Sequence, residues 1–385
     1  MARTTGKYFT TRFGGEAVRA FVPLPLPPRD PPLALDARSR ALLMAASAAV
    51  GRLSVAGRMV PSADWFLYGF VRKEAVITSQ IEGTQATLKD LLTFEATQKS
   101  ARPDDVQEVC NYVDALTYAR REMARPDGLP LSVRLLCESH KRLMRGTRGA
   151  DRLPGEIRRS QNWIGGTRPG NASFVPPPPE ELPAALREFE LWLHDEDEIA
   201  PLVRAGLAHV QFETIHPFLD GNGRIGRLLV VLLLENWKLL STPLLYLSLA
   251  FKRRREEYYQ RLSAVRTDGD WEGWTAFFLE CVAEAAEDGV ATAERCFALL
   301  NKHRQALLHR HGTTIPAVRL LDLLPNHPIL TLPSAMELLK TTKPTASKAI
   351  ETLRGARILK ETTGRQRDRV YAYQGYLDLL TKDTE

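Results

Sequence analysis

Twelve residues, 216–227, read His-Pro-Phe-Leu-Asp-Gly-Asn-Gly-Arg-Ile-Gly-Arg and run without a break into the apolar stretch Leu228–Leu234. A turn with two glycines that leads into a buried helix leaves several backbone N–H groups free to face an anion. Arg224 and Arg227 are three apart, so on that helix they share a face and can grip one polyanion. His216 and Asp220 stand just before this cradle; one is able to take a proton, the other to hold a hard cation. The stretch points to phosphate chemistry on a nucleotide.

A chain of 385 residues is too long for one compact core and suggests two or three domains. With 44% apolar and 25% charged residues the composition is that of a globular protein, not a disordered one. Cys110, Cys137, Cys281 and Cys296 have neither C-x-x-C nor zinc-site spacing and read as thiols of a reducing compartment. The first fifteen residues contain no apolar core of a secretory signal. The most apolar window, Leu228–Ala250, is broken by Glu235, Asn236, Lys238 and Pro243, which favours a buried helix over a membrane span. The expectation is a cytoplasmic protein with no membrane partner.

Charge is unevenly placed. Lys340–Arg369 holds nine Lys or Arg against three Asp or Glu, so this stretch carries the whole formal excess of +6. Any nucleic-acid footprint therefore belongs to the C-terminal part.

Taken in order, the chain begins with a proline-rich run, Pro23–Pro32, which cannot be helical and reads as an extended arm laid on a domain. Helices are expected over Leu35–Val50 and Phe66–Ile81. The second ends near Glu82 because Gly83 is placed as a C′ glycine, and Thr78 and Glu82, four apart, share a face. Thr84 is the expected cap of a further helix reaching about Thr97. Asp105–Arg121, Ser132–Arg145 and Pro201–Ile215 are helical by pattern. Between them, Ile157–Ile164 and Ser173–Val175 are short extended pieces around Gly165-Gly166 and Pro169-Gly170-Asn171, the pattern of a β-hairpin. Its edge either docks an extended peptide or serves as a connector, and periodicity does not separate the two. Trp271–Leu300 is expected to be helical, with Lys302–Gly312 a linker.

The last seventy residues have another character: helices at Ile315–Leu324, Ser334–Leu339 and Pro344–Leu353, then strands at Leu359–Glu361 and Val370–Tyr373. Three helices and a basic hairpin make the winged helix-turn-helix plan. Thr345, Ser347 and Lys348 on the third helix, with Arg365 and Arg367 at the wing tip, are the candidate DNA contacts within residues 343–369. The alternative is a packing or protein-interaction module.

The motif His-x-Phe-x-Asp-Gly-Asn-Gly-Arg-x-x-Arg, complete from His216 to Arg227, resembles that of the Fic (Fido) family of adenylyltransferases. Thr78-x-x-x-Glu82-Gly83 resembles the family's inhibitory helix motif, in the class that carries it N-terminal to the core. Gly155-Glu156-Ile157-Arg158 through Trp163-Ile164-Gly165 to Phe174-Val175-Pro176 is similar to its target-docking flap. The resemblance implies a mainly α fold: a Fic-type helical bundle with a small β-hairpin flap, an N-terminal helical region and a C-terminal winged helix. The corresponding divisions are 1–104, 105–300, a linker at 301–312, and 313–385.

It also implies roles. His216 would take the proton of a target Ser, Thr or Tyr hydroxyl, work that an imidazole pKa of ~6.5 suits. The oxygen would attack the α-phosphate of ATP, transferring AMP and releasing pyrophosphate. Asp220 would hold Mg²⁺. The N–H groups of Gly221, Asn222 and Gly223 would form the anion hole, and Arg224 and Arg227, with Ile225 and Gly226 between them, would complete the ATP site. Phe218 would anchor the loop, and Tyr258 or Tyr259 would contact adenine, with Tyr259 the candidate for the ATP site. Phe174 and Val175 would line the flap against which the target protein lies. Glu82 would pair with Arg227 and keep basal activity low.

Gly223 and Arg227 favour AMP transfer over the family's kinase-related branch, and no P-loop or kinase signature is present. Two alternatives remain: AMP removal using Glu82 to position water, and a nucleotide-sensing DNA-binding regulator. Related chains often dimerise, so a homodimer is a further expectation.

Overall fold

The computed structural model describes residues 3–59 and 63–384. In chain order, β1 (Gly6–Phe13) and β2 (Glu16–Pro23) are followed by α1 (Ala37–Met59), α2 (Ala63–Ile81), α3 (Leu88–Thr97), α4 (Pro103–Ala124) and α5 (Val133–Leu143). Next come α6 (Leu182–His194), α7 (Pro201–Ile215), α8 (Asn222–Asn236), α9 (Leu247–Arg253), α10 (Arg255–Asp268) and the long α11 (Trp271–Leu308). The chain ends with α12 (Ile315–Leu323), β3 (Ile329–Thr331), α13 (Leu332–Leu339), α14 (Lys343–Gly355), β4 (Lys360–Glu361), β5 (Val370–Ala372) and α15 (Gln374–Leu380). The fold is mainly helical with two small antiparallel sheets. Among the described residues no helix is long and apolar enough to cross a membrane.

Two compact units divide the chain, the first comprising residues 1–51, 111–243 and 247–285. Its centre is α7, buried at every position from Leu202 to Ile215. Packed against α7 is α8, whose Ile225 and Leu228–Leu234 are all buried. Each of those large aliphatic side chains contributes ~1.5–3 kcal/mol on leaving water, so the pair α7–α8 holds the loop between them from both ends. Close approach needs small residues. A Cβ on Gly226 would lie 2.4 Å from Glu213 Oε1, and one on Gly206 would lie 2.9 Å from the Phe278 ring. Trp274 Nε1 then reaches the Gly206 carbonyl at 2.8 Å.

Ahead of the proline run stands a hairpin that the sequence expectations did not include. Strands β1 and β2 pair over their full length, Gly6 with Pro23 through Phe13 with Glu16, around Gly14 and Gly15 at φ +58° and +85°. The proline run does lie on the bundle, pinned where Gln211 of α7 donates to the Leu24 carbonyl at 2.9 Å.

The second unit comprises residues 52–110, 244–246 and 286–385. Here α2 ends at Ile81, and Gly83 takes φ +100°, as its placement predicts. Thr84 does not cap α3. The cap is Thr87, which forms a reciprocal capping box with Asp90, while the Thr84 hydroxyl donates to Glu108 Oε2 at 2.8 Å. Residues 302–308, read as linker, continue α11: His303 bonds Tyr373 at 2.8 Å and Arg304 bonds Asp322 at 2.5 Å, so polar side chains hold a helix in place. Helices α12, α13 and α14 and a three-stranded sheet of order β3-β5-β4 form the winged-helix arrangement. Strand β3 and the closing helix α15 have no counterpart in the sequence reading.

Candidate active site

The loop between α7 and α8 is built by tying its carbonyls back. His216 closes α7 in the left-handed region, φ +51° and ψ +61°, with its N–H on the Phe212 carbonyl at 2.9 Å. For a non-glycine residue this conformation costs on the order of 1–2 kcal/mol and has to be held by its surroundings. Arg158, buried at 2% exposure, does much of the holding. Its Nε donates to the His216 carbonyl at 3.0 Å and its main-chain N–H to the Pro217 carbonyl at 2.9 Å. Asn222 grips Phe218 with both ends of its amide: Oδ1 takes the Phe218 N–H and Nδ2 donates to the Phe218 carbonyl, each at 2.8 Å. Asn162 Nδ2 reaches the Leu219 carbonyl at 3.2 Å, and His140 Nε2 the Asp220 carbonyl at 3.0 Å. Five consecutive carbonyls, 216 to 220, thus have side-chain or backbone donors from elsewhere.

His140 is held in one tautomer. The Gly155 N–H donates to its Nδ1 at 2.9 Å, so the ring proton sits on Nε2 and points at Asp220. Burial pushes its pKa down to about 4, which keeps it neutral at ordinary pH. Its ring lies flat on Phe218, centroids 3.9 Å apart and planes at 4°, so the expected anchor residue has a stacking partner.

With its carbonyls turned into the protein, the loop opens into α8 at Gly221, φ +75°, and no side chain caps the helix. The N–H groups of Asn222 and Gly223 lie in the first turn and have no helical acceptor. A Cβ at Gly221 would meet Met144 Sδ at 3.0 Å, so a side chain there is resisted by both φ and space. Asp220 is half exposed; its Oδ1 takes the Gly221 N–H at 2.5 Å and lies 3.7 Å from Arg224 Nη2. Arg224 and Arg227 are both buried, at 4% and 3% exposure. Gly226 faces α7, Ile225 is fully buried, and the Ile225 N–H is already used on the Gly221 carbonyl at 3.1 Å.

Among the described residues no three His, Cys, Asp or Glu side chains converge to hold a metal by themselves. A lone half-exposed carboxylate suits Mg²⁺, which takes few protein ligands when phosphates and water fill its other positions. His216 keeps 15% of its side chain exposed, with Nδ1 3.4 Å from the Glu213 carbonyl and 4.0 Å from its carboxylate.

Residues 157–175 form a narrower hairpin than the extended pieces suggested. Pairing is confined to Ile164 and Phe174, with a short 3-10 turn at Pro169–Asn171. Its outer edge is not bare, because the Phe21 N–H of β2 donates to the Val175 carbonyl at 2.9 Å. Val175 packs with Val18 and Ala20.

Residues 40–121 match the Fic/DOC family N-terminal region and residues 130–234 the Fic/DOC family. Over these residues, the 216–227 loop included, the chain is similar to the Fic/DOC family. It is 28% identical over 214 residues to the protein adenylyltransferase Fic of Drosophila erecta, a match covering 54% of this chain and 39% of that relative. The Drosophila willistoni protein of the same name matches to the same extent. The chain thus spans about two fifths of the length of the curated relatives it matches. A Fic family protein from Desulfovibrio desulfuricans shares the fold, with TM-score 0.57 and 23% identity over 90% of this chain and 98% of that one. Fic-1 from C. elegans does so with TM-score 0.51 and 24% identity, over 68% and 73%.

Beyond the matched residues Tyr258 is core: its hydroxyl meets His209 Nε2 at 2.8 Å and its ring stacks on Phe251. Tyr259 stands at the surface, 44% exposed, with Arg255 5.8 Å from its ring. In the second unit Thr78 is fully buried on α2 and Glu82 lies on the exposed turn after it. His140, Arg158 and Asn162 are the site residues that sequence reasoning left without a role.

Proposed function

We propose that this chain transfers AMP from ATP to a hydroxyl of a target protein, with Glu82 holding the reaction in check. The single observation that carries the reading is the tethered loop: five carbonyls, 216 to 220, are tied back by donors, which leaves the first-turn N–H groups of α8 for an anion next to His216, Asp220 and Arg224 in the chain. Such donors stabilise charge that develops on a phosphoryl group without reorganising. A proton on His216 Nδ1, turned toward Glu213, leaves the basic lone pair on Nε2. That nitrogen takes the hydroxyl proton, the oxygen bonds to the α-phosphorus, and the bond from that phosphorus to the bridging oxygen breaks. Pyrophosphate carries off the electron pair. Asp220 would hold Mg²⁺ brought with the nucleotide, and that ion would supply neutralisation of phosphate charge.

The restraining role of Glu82 rests on the Thr78–Gly83 motif. The test uses wild type, Glu82→Gly and His216→Ala with α-labelled and, separately, γ-labelled ATP. Label retained only from the α-position, and lost in His216→Ala, supports AMP transfer; label retained only from the γ-position makes the protein a kinase.

A second reading concerns the C-terminal module. Lys343 and Lys348 are exposed on α14, whose Ala346, Ala349, Ile350 and Leu353 are buried, and Arg365 and Arg367 are exposed on the wing, a pattern that favours DNA contact.

A further inference from the structure

The hairpin β1–β2, the flap and the end of α10 enclose a cleft of about 330 Å³. Tyr8, Arg19, Phe174, Ser263, Arg266 and Thr267 line it, and no carboxylate is among its lining residues. That size is near the lower end of small-ligand pockets, ~300–1,000 Å³, so it has room for a side chain or two. Both arginines lie over aromatic rings: Arg19 Cζ is 4.6 Å from the Tyr8 centroid and Arg266 Cζ 4.0 Å from that of Phe174. Stacking holds the guanidinium plane and leaves its N–H edge for an acceptor. Arg266 uses Nε on Thr214 Oγ1 and Nη2 on the Glu213 carbonyl, both at 3.1 Å, and Nη1 has no partner among the described residues. Of the neighbouring acids, Glu16 pairs with Arg168 through Oε1 while its buried Oε2 accepts no hydrogen bond, Asp268 accepts from the Thr267 hydroxyl at 2.8 Å, and Glu213 acts on Arg266 through space.

The cleft is tied to both parts of the site. Phe174 belongs to the flap pair, and Arg266 holds the last turn of α7, two residues before His216. Arg266 and Phe174 thus set the cleft beside the flap pair and beside the turn of α7 that ends at His216. We infer that the cleft is a specificity pocket for an acidic side chain, Asp or Glu, that flanks the modified hydroxyl of the target. The inference rests on the AMP-transfer reading and deepens it by naming what the target presents. Burial brings the Arg266 pKa down to about 10, so it remains cationic at neutral pH.

Two measurements on the full-length chain test it. In the first, Glu82→Gly with α-labelled ATP acts on a library of peptides carrying one central hydroxyl residue and randomised flanks. Labelled peptides should be enriched about tenfold, the equivalent of one charge-assisted contact, in Asp or Glu at one fixed flanking position. Adding Arg19→Glu should turn that preference toward Lys or Arg, and Arg19→Lys should keep it. Labelled peptides without an acidic preference overturn the pocket and leave AMP transfer standing. The second measurement needs no turnover. By fluorescence anisotropy at low salt, the Glu-flanked peptide should bind wild type about tenfold more tightly than its Gln-flanked counterpart, and Arg19→Glu should abolish the difference. Equal affinities overturn the pocket whatever the labelling shows, and so does a phosphoserine-flanked peptide that binds where the Glu-flanked one does not. Pocket binding in a chain that never transfers label would count against the AMP-transfer reading instead.

Discussion

Arg158 Nε donates to the carbonyl of His216 at 3.0 Å, and the same guanidinium donates from Nη2 to the Pro177 carbonyl at 2.5 Å. One buried side chain therefore joins the proposed base to the end of the flap. Its third contact, Nη1 to the Ser160 carbonyl at 3.1 Å, fixes the flap's other side. A planar fork can serve three acceptors at once in a way an ammonium cannot.

Arg158→Lys should therefore lower kcat about 100-fold, the cost of a misplacement of roughly 1 Å, while KM for ATP stays nearly constant. Stopped assays of AMP transfer at varied ATP read the two separately. A mutant that loses ATP affinity and keeps kcat would show that Arg158 acts on the nucleotide and not on the base. Some stability should go as well, because each buried carbonyl left without a donor costs about 1–3 kcal/mol.

Glu82→Gly should raise self-modification on the order of 100-fold if the glutamate misplaces the reacting phosphate by about 1 Å. Glu82→Gln keeps size and removes charge, so it should recover most of the same gain. Gly83→Ala makes a companion test. At φ +100° a side chain is strained, so the turn carrying Glu82 should loosen and basal labelling should rise. Unchanged rates in all three remove Glu82 from the switch.

What was legible in the sequence had a local signature. The helices α7 and α8 show in their apolar runs, the turn between them in Gly221, and the winged helix in three short amphipathic pieces and a basic tip. The hairpin at residues 6–23 has one as well, Gly14-Gly15 between β-rich flanks, yet it has no counterpart among the expected elements. The flap narrowed because Pro169 and Pro176–Pro179 bring no N–H to a ladder. The donors that tether the loop had no local sign of their role. His140 lies 80 residues from Asp220, and Asn162 57 from Leu219, so only the folded chain brings them to the carbonyls they satisfy.

His209 makes a prediction about acid. It is fully buried between Trp274 and Phe251, with Nε2 on the Tyr258 hydroxyl, and burial drives its pKa down to about 3. The unfolded chain binds this proton near pH 6.5 and the folded chain does not, so the stabilisation is complete above that pH and lost as pH falls toward 3. At pH 5 the loss from this residue is about 2 kcal/mol. Urea titrations at pH 7 and pH 5 should show it, and His209→Gln, weaker at pH 7, should lose less on acidification. An equal loss in the variant would assign the acid sensitivity to other groups.

The wing offers the last prediction. Glu361 takes the N–H groups of Thr363 and Gly364 at 2.7 and 3.0 Å, and Arg369 Nε donates to the Arg365 carbonyl at 2.8 Å, so the tip is ordered by its own contacts. Arg365 and Arg367 are left exposed on it, and Lys343 and Lys348 are exposed on α14. If these four reach phosphates, duplex DNA should bind with an affinity that falls as salt rises, at a slope near −0.9 per contact in a double-logarithmic plot. Replacing Arg365 and Arg367 together by Gln should then reduce that slope by about 2 at every DNA sequence tested, because phosphate contacts position and do not read bases. His216→Ala should leave the slope alone. Binding that is absent at low salt, or a slope unmoved by the double substitution, would make the winged helix a packing or protein-docking module.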